Sequence, residues 1–211
     1  MSRRSVRIHG GEDNQGNAAP DDTAHVTTGS LHVTVPGAVD TISGALIIIP
    51  SVHAHVHAGR MFSLTEKLTG LTSGGSTDIY ISMPSGVVTH MNAVHVSVGG
   101  GDVDLVAYEN PTVSATGTAA TILNTNRFSP NTADTLIYFG PTVTDVGTKL
   151  HTWWVPAMPT GQGHSQTGVI NAEIGSEWIL KTGNTYLYRL TNNGADTISV
   201  WFEFLFYETQ D

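Results

Sequence analysis

The stretch ISVWFEFLFYE, Ile198–Glu208, sets Ile198, Val200, Phe202, Phe204 and Phe206 two residues apart. A period of two puts all five side chains on one face of an extended strand. At about 1.5–3 kcal/mol for each large side chain withdrawn from water, that face is a major part of a core. The same alternation recurs upstream. Ile79, Ile81 and Met83 alternate with Asp78, Tyr80 and Ser82, and Val94, Val96 and Val98 share one face. Val103, Leu105 and Ala107 alternate with Asp102 and Asp104.

Turn residues punctuate these runs at Ser73–Ser76, Pro84–Gly86, Gly99–Gly101 and Asn192–Gly194. The three glycines predict a hairpin between Val94–Val98 and Val103–Ala107, and Asn192-Asn193-Gly194 predicts another before the last strand. Leu136–Phe139, Leu150–Val155, Trp178–Leu180 and Tyr186–Leu190 are further strands. Trp153 and Trp154 point to opposite faces if extended, one to the core and one to an edge or interface. Roughly eight strands after Met61, with regular turn signals and no amphipathic helix, predict an all-β, jelly-roll-like β-sandwich with an extended N-terminal arm. The expected boundaries are an arm over 1–23, a short-strand segment over 24–59 and the sandwich over 60–211.

Composition narrows the partners. Charged residues are 13% of the chain against roughly 25% in ordinary soluble domains. The net charge of −9, with no Lys or Arg between Lys67 and Arg127, argues against a general nucleic-acid binder. Cysteine is absent, which removes disulfides and thiolate metal sites. No apolar run nears the roughly 20 residues of a membrane helix; the purest, Ala45–Ile49, ends at Pro50. The N-terminal arginines precede no apolar core of a secretory signal. The expectation is a protein made in a cytoplasm, or assembled there into something larger, with no nucleic-acid or membrane partner.

Arg3, Arg4 and Arg7 begin an arm whose continuation, GGEDNQGNAAPDD, has little to bury. It reads as a tail, or as a segment that orders on an acidic partner. Leu31, Val33 and Val35 alternate as a short strand before Pro36-Gly37. His53, His55 and His57 recur at i, i+2 and i+4, which on a strand places three imidazoles on one face roughly 7 Å apart. That spacing is loose for one metal, so the three are weak metal candidates, and a hydrated or inter-subunit polar face is the alternative.

Catalytic patterns are missing. Glu109, Glu173, Glu177, Glu203 and Glu208 form no carboxylate pair among aromatic platforms, as sugar hydrolysis would need. There is no G-x-S-x-G, H-E-x-x-H or P-loop. Ser165 beside His164 lies in the loop Met158–Gly168, without an orienting third group. No catalytic residue and no cofactor are expected.

Tyr108–Arg127, YENPTVSATGTAATILNTNR, follows the predicted hairpin and is too rich in Gly and Thr for a helix. It reads as a polar excursion suited to close contact with a neighbour, with Arg127 placed to tie its end to a carboxylate such as Glu109. Together with PTVTDVGTKL (141–150), EWILKTGNTYLYRLTN (177–192) and the terminal aromatic strand ending in FYE, it resembles a family of tailed-bacteriophage virion proteins. The resemblance spans Phe62 to Glu208. It rests on Tyr108, Glu109, Gly117, Asn124, Asn126, Arg127, Gly147, Glu177, Leu180, Lys181, Tyr186, Arg189, Tyr207 and Glu208. It implies a decoration, cement or head-stabilising protein that binds the outside of the shell as a homotrimer, with the major capsid protein as partner. Candidate contacts are Arg3, Arg4, Arg7, Tyr108, Glu109, Asn124, Asn126, Arg127, Trp153 and Trp154. A tail-associated or receptor-binding β-module is one alternative, and a carbohydrate-binding or carbohydrate-active protein is another.

Overall fold

A computed structural model describes residues 52–98, 101–155 and 177–210 in full, the backbone of Ser51, and in the first fifty residues the backbone of three short strands. The chain divides into two compact units, Met1–Pro50 and Ser51–Asp211. In the first, β1 (Val6–Arg7), β2 (Thr23–Thr27) and β3 (Ser30–His32) form an antiparallel sheet in that order. Val6 pairs with Ala24, so the segment that reads as an extended arm returns on itself at β2. Leu31 lies in β3, whereas Val33, Val35 and Ala45–Ile49 are outside the described residues.

The second unit opens with a helix, α1 (Ser51–His57), and its other described elements are strands. The first four are β4 (Met61–Leu71), β5 (Ser76–Ser82), β6 (Val87–Val98) and β7 (Val103–Glu109). The polar stretch then supplies β8 (Thr112–Ala115), β9 (Thr118–Ala119) and β10 (Leu123–Asn124). Next come β11 (Leu136–Phe139), β12 (Thr142–Asp145) and β13 (Thr148–Val155). The last are β14 (Trp178–Leu180), β15 (Thr185–Asn192) and β16 (Ile198–Gln210). A five-stranded sheet, β10-β4-β16-β6-β14, packs on a six-stranded one, β13-β7-β15-β5-β11-β9, and β8 pairs with β12 as a separate ribbon. The fold is the expected all-β sandwich.

β16 occupies the centre of the five-stranded sheet, and Ile198, Val200, Phe202, Phe204 and Phe206 are all buried. Phe204 meets Tyr188 of the opposing β15 edge-on, with ring centroids 5.3 Å apart, and leans on Phe202 at 4.9 Å. Phe62 of β4 packs beside Phe206 at 5.7 Å. The Phe204–Tyr188 contact joins the two layers, and the other two pack the face of the five-stranded sheet.

The predicted hairpins are a correction. β6 pairs with β16 and β14, whereas β7 pairs with β13 and β15, so β6 and β7 lie in different sheets. The chain also changes sheets at Asn192–Gly194, between β15 and β16. The turns after β4, β5 and β14 do the same. Turn residues state where the chain reverses, but the partner of each strand is set by which apolar face must be covered. Asn192 shows what such a crossover needs. Its buried amide donates to the carbonyls of Leu71 and Asp196 at 3.0 and 2.7 Å, and its side-chain oxygen accepts from Gly194 at 2.9 Å.

The excursion after β7 contains half of an internal repeat that strand alternation does not reveal. Tyr108-Glu109-Asn110-Pro111-Thr112-Val113 returns as Tyr138-Phe139-Gly140-Pro141-Thr142-Val143, and Gly117-Thr118 returns as Gly147-Thr148. The two copies pair reciprocally. Phe139 opposes Thr118, as Glu109 opposes Thr148. Ser114 Oγ donates to the Thr142 carbonyl at 3.4 Å, and Thr144 Oγ1 donates to that of Thr112 at 3.1 Å. Asn110 and Gly140 both take positive φ, at 56° and 65°. Gly117 and Gly147 (φ 91° and 80°) approach the other copy so closely that a Cβ would stand 2.2 Å from the Phe139 oxygen and 2.3 Å from the Glu109 oxygen. The stretch is therefore a pseudo-twofold ribbon held by its mate.

Phe204→Ala should lose about 3–5 kcal/mol in urea unfolding, because it removes a buried aromatic from the inter-sheet contact; a loss under about 1 kcal/mol would mean the core closes without it. Gly117→Ala and Gly147→Ala should each cost at least about 1–3 kcal/mol, since both positions combine a left-handed backbone with a backbone clash. Equivalent losses at the two sites would reflect the reciprocity, and a neutral substitution at either would contradict the close approach.

Candidate functional site

α1 corrects the histidine strand. On a helix His53 and His57 stand one turn apart on the same side, and His55 points elsewhere. The helix ends in the hydrogen-bond pattern of a left-handed C-terminal cap. Gly59, at φ 65°, donates to Val56 at 3.0 Å, and Arg60 donates to His55 at 3.0 Å. Ser129 Oγ lies 2.1 Å from where a Cβ on Gly59 would be, so this glycine also admits the 125–135 loop.

That loop is stitched to α1 by Asn124, Asn126 and Asn131. Asn124 is buried; its Nδ2 donates to the Gly59 and Asn131 carbonyls at 2.8 and 3.1 Å, and its Oδ1 accepts from the Asn126 backbone at 2.9 Å. Asn131 Nδ2 reaches the same Gly59 carbonyl at 3.1 Å, and Asn126 Nδ2 reaches that of His57 at 3.3 Å. Glu208, buried at the end of β16, accepts the backbone N–H groups of Asp134 and Thr135 at 3.1 and 2.8 Å. An open cleft of about 840 Å³ lies over this seam, lined in part by Arg60, Asn131, Asp134 and Glu208.

Beside the seam is an aromatic stack. Tyr207 lies against His55 at 4.0 Å and 13°, and against His90 of β6 at 4.3 Å and 8°. Its hydroxyl donates to the Glu177 carboxylate at 2.9–3.1 Å; burial, then that carboxylate, push the phenol up to about 12. His90 reaches Glu177 at 3.4 Å through Nδ1 and Thr209 Oγ1 at 3.1 Å through Nε2. Burial, foremost, holds the His55 imidazole below its ordinary range, and electrostatic interaction with Arg60 and then His90 adds to the effect.

A second polar cluster sits where β7 ends. Lys181 Nζ contacts the Glu109 carboxylate at 3.0 Å, while Tyr186 Oη and Asn184 Nδ2 donate to it at 3.1 and 3.3 Å. The Lys181 hydrogen bond, foremost, holds Glu109 below the usual carboxylate value against a smaller opposing effect of burial. Tyr186 is pushed up to about 12, chiefly by burial. Arg127 does not reach Glu109: its guanidinium donates to the Asn124 carbonyl at 3.4 Å, a separation that correctly closes the loop on itself. Arg189 forms a bidentate pair with Asp78 at 2.7 Å, and this hydrogen bonding raises the guanidinium further.

The sequence candidates thus separate. Glu109 and Asn124 are engaged within the chain; Asn126 fastens the loop to α1; Tyr108 is half-buried in β7, opposite Lys149. Trp153 packs on the core beside Trp178 and Tyr188, at 5.8 and 6.3 Å. Trp154 is 63% exposed, with its indole N–H directed to Asp102. Arg7 stands in β1, and Arg3, Arg4 and the loop Met158–Gly168 lie outside the described residues. The sequence reading missed His90, Asn131 and the acceptor role of Glu208, since each gains its partner from a distant segment.

Among the described residues no three His, Asp or Glu side chains converge as a metal cluster. Large apolar side chains are exposed instead, and most stand on edge strands: Leu123 on β10, Leu150 and Trp154 on β13, and Ile179, 61% exposed, on β14. Trp201 is exposed on β16, and Phe128 is fully exposed in the 125–135 loop. No protein-family model matches this chain, and no curated protein matches it.

Glu109 predicts an acid limb. Its carboxylate titrates lower in the folded chain than the usual 4.5, so the unfolded chain binds more protons in that window. The stabilisation is complete above the unfolded value and is lost as pH falls through the folded one. Urea midpoints followed from about pH 6 to pH 3 should fall less steeply in Glu109→Gln than in the wild type; parallel curves would remove Glu109 as a source of the acid sensitivity.

Proposed function

We propose that this chain is a structural protein of a bacteriophage particle, a decoration or cement module that binds the outside of the capsid across subunit junctions. The observation that carries the reading is the placing of Leu123, Leu150, Trp154 and Ile179 on the outer strands of both sheets. An uncovered strand edge with apolar side chains is a template for association, and native proteins ordinarily blunt such edges with charge or cover them. Here a sparsely charged chain places exposed apolar side chains on these edges beside few charges, Lys149 of β13 among them, which suits a protein whose edges are covered by neighbours. Those neighbours are the major capsid protein and two further copies of the chain in a homotrimer. The likeness of Phe62–Glu208 to phage virion proteins supports the same class. The interior fasteners of the seam and the Glu109 cluster suit a rigid clamp that stabilises whichever shell state it binds.

A non-enzymatic clamp requires many copies on the head. Cryo-electron microscopy of purified particles should place the density over shell subunit junctions; density confined to the tail would favour the receptor-binding alternative. Trp154→Ser with Ile179→Ser should leave the sandwich folded, because both side chains are exposed, and should weaken co-sedimentation with purified shells by at least about tenfold. Undiminished co-sedimentation of the folded double variant would show that these edges are not the contact.

A further inference from the structure

We infer that His53 and His57 form a bidentate site for a borderline divalent transition cation, such as Ni²⁺, Cu²⁺ or Zn²⁺, on the exposed side of α1. The two Nε2 atoms lie 2.9 Å apart and the ring centroids 4.6 Å apart, with the planes at 73°. Two nitrogens bound to one ion at about 2.0–2.1 Å stand about 2.9 Å apart when the ligand angle is 90° and about 3.4 Å apart at the tetrahedral angle. The observed separation already meets the first requirement. In the free protein one imidazole N–H is shared with the other ring's lone pair. The cation takes the place of that shared hydrogen bond: the donor ring passes to its other neutral tautomer, its proton moving through solvent from Nε2 to Nδ1, and both neutral imidazoles then present Nε2 lone pairs to the metal. Both side chains are exposed, so the torsional adjustment that turns the lone pairs together disturbs no packing.

The helix performs the positioning. Its cap at Gly59 and the bond from Asn126 to the His57 carbonyl hold the turn that carries both ligands. His55 takes no part: it lies on Tyr207, and its Nδ1 is buried without a hydrogen-bond partner. Two ligands leave several coordination positions to water or to a third side chain from an adjoining molecule, so the site can bridge as well as bind. Imidazole pairs of this kind follow the usual affinity order, with Cu²⁺ foremost and Mg²⁺ and Ca²⁺ poor ligand partners.

The test uses full-length protein without a histidine tag. Ni²⁺ titrated by calorimetry at neutral pH should show one site of micromolar order, while Mg²⁺ shows none. His53→Gln and His57→Gln should each weaken it at least about tenfold, and His151→Gln should leave it unchanged. Because the cation binds the folded helix, Ni²⁺ should also raise the Tm of the wild type and not that of His53→Gln, which reports the site independently of heat. Circular dichroism of the glutamine variants confirms that α1 and the sandwich are retained. Wild-type affinity in both variants, or no Ni²⁺ binding at millimolar concentration, would overturn the assignment.

Discussion

The inward face of β16 is the constraint on which the sandwich rests. Phe202, Phe204 and Phe206 stand in the middle of one sheet, and Tyr188 comes down onto Phe204 from the middle of the other. A sheet with such a face cannot be stable alone, because its apolar side chains would remain in water. The two layers must therefore form together. The chain route follows from the same need: by changing sheets at nearly every turn, it builds both faces at once. Crossovers place demands on their corners, and buried Asn192 meets them with backbone bonds that no local hairpin would require.

How much of this is legible in the sequence depends on the range of the interaction. The strict alternation from Ile198 to Phe206 is local, and it identifies the strand, its buried face and the all-β class. Asparagine and glycine at Asn192–Gly194 mark a turn correctly, yet there and between β6 and β7 the hairpin signature misassigns the partners, since pairing is decided by strands far away in sequence. The histidines fail for another reason. Three residues at i, i+2 and i+4 satisfy a strand period, but positions i and i+4 also satisfy a helix, and the cap at Gly59 favours the helix. Short segments with both periods are arbitrated by their ends, and Ala58-Gly59 was the available sign.

The ribbon of β8 and β12 was legible but needed a different comparison. Tyr-x-x-Pro-Thr-Val followed by Gly-Thr occurs from Tyr108 and again from Tyr138. Neither copy has enough apolar surface to hold itself, and each glycine admits the backbone of the other copy. A polar, glycine-rich excursion becomes ordered because its complement is a second version of itself. What looks like a loop in a search for alternation is a symmetric pair in a search for repeats.

Several of the residues singled out in the sequence for their likeness to virion proteins act as fasteners within the domain. Glu109 with Lys181 and Tyr186, Glu177 with Tyr207, Glu208 with the Asp134–Thr135 backbone, and Asn124 with Gly59 each join segments remote in sequence. Substituting them changes how the domain is held, and only indirectly what it touches. The exposed apolar side chains behave oppositely: Trp154 and Ile179 contribute little to the core and offer area to a partner. The residues that fasten the domain and those of the proposed contact surface are thus different sets. A partner-binding defect accompanied by unchanged stability belongs to the edges, and one accompanied by a lowered unfolding midpoint belongs to the fasteners.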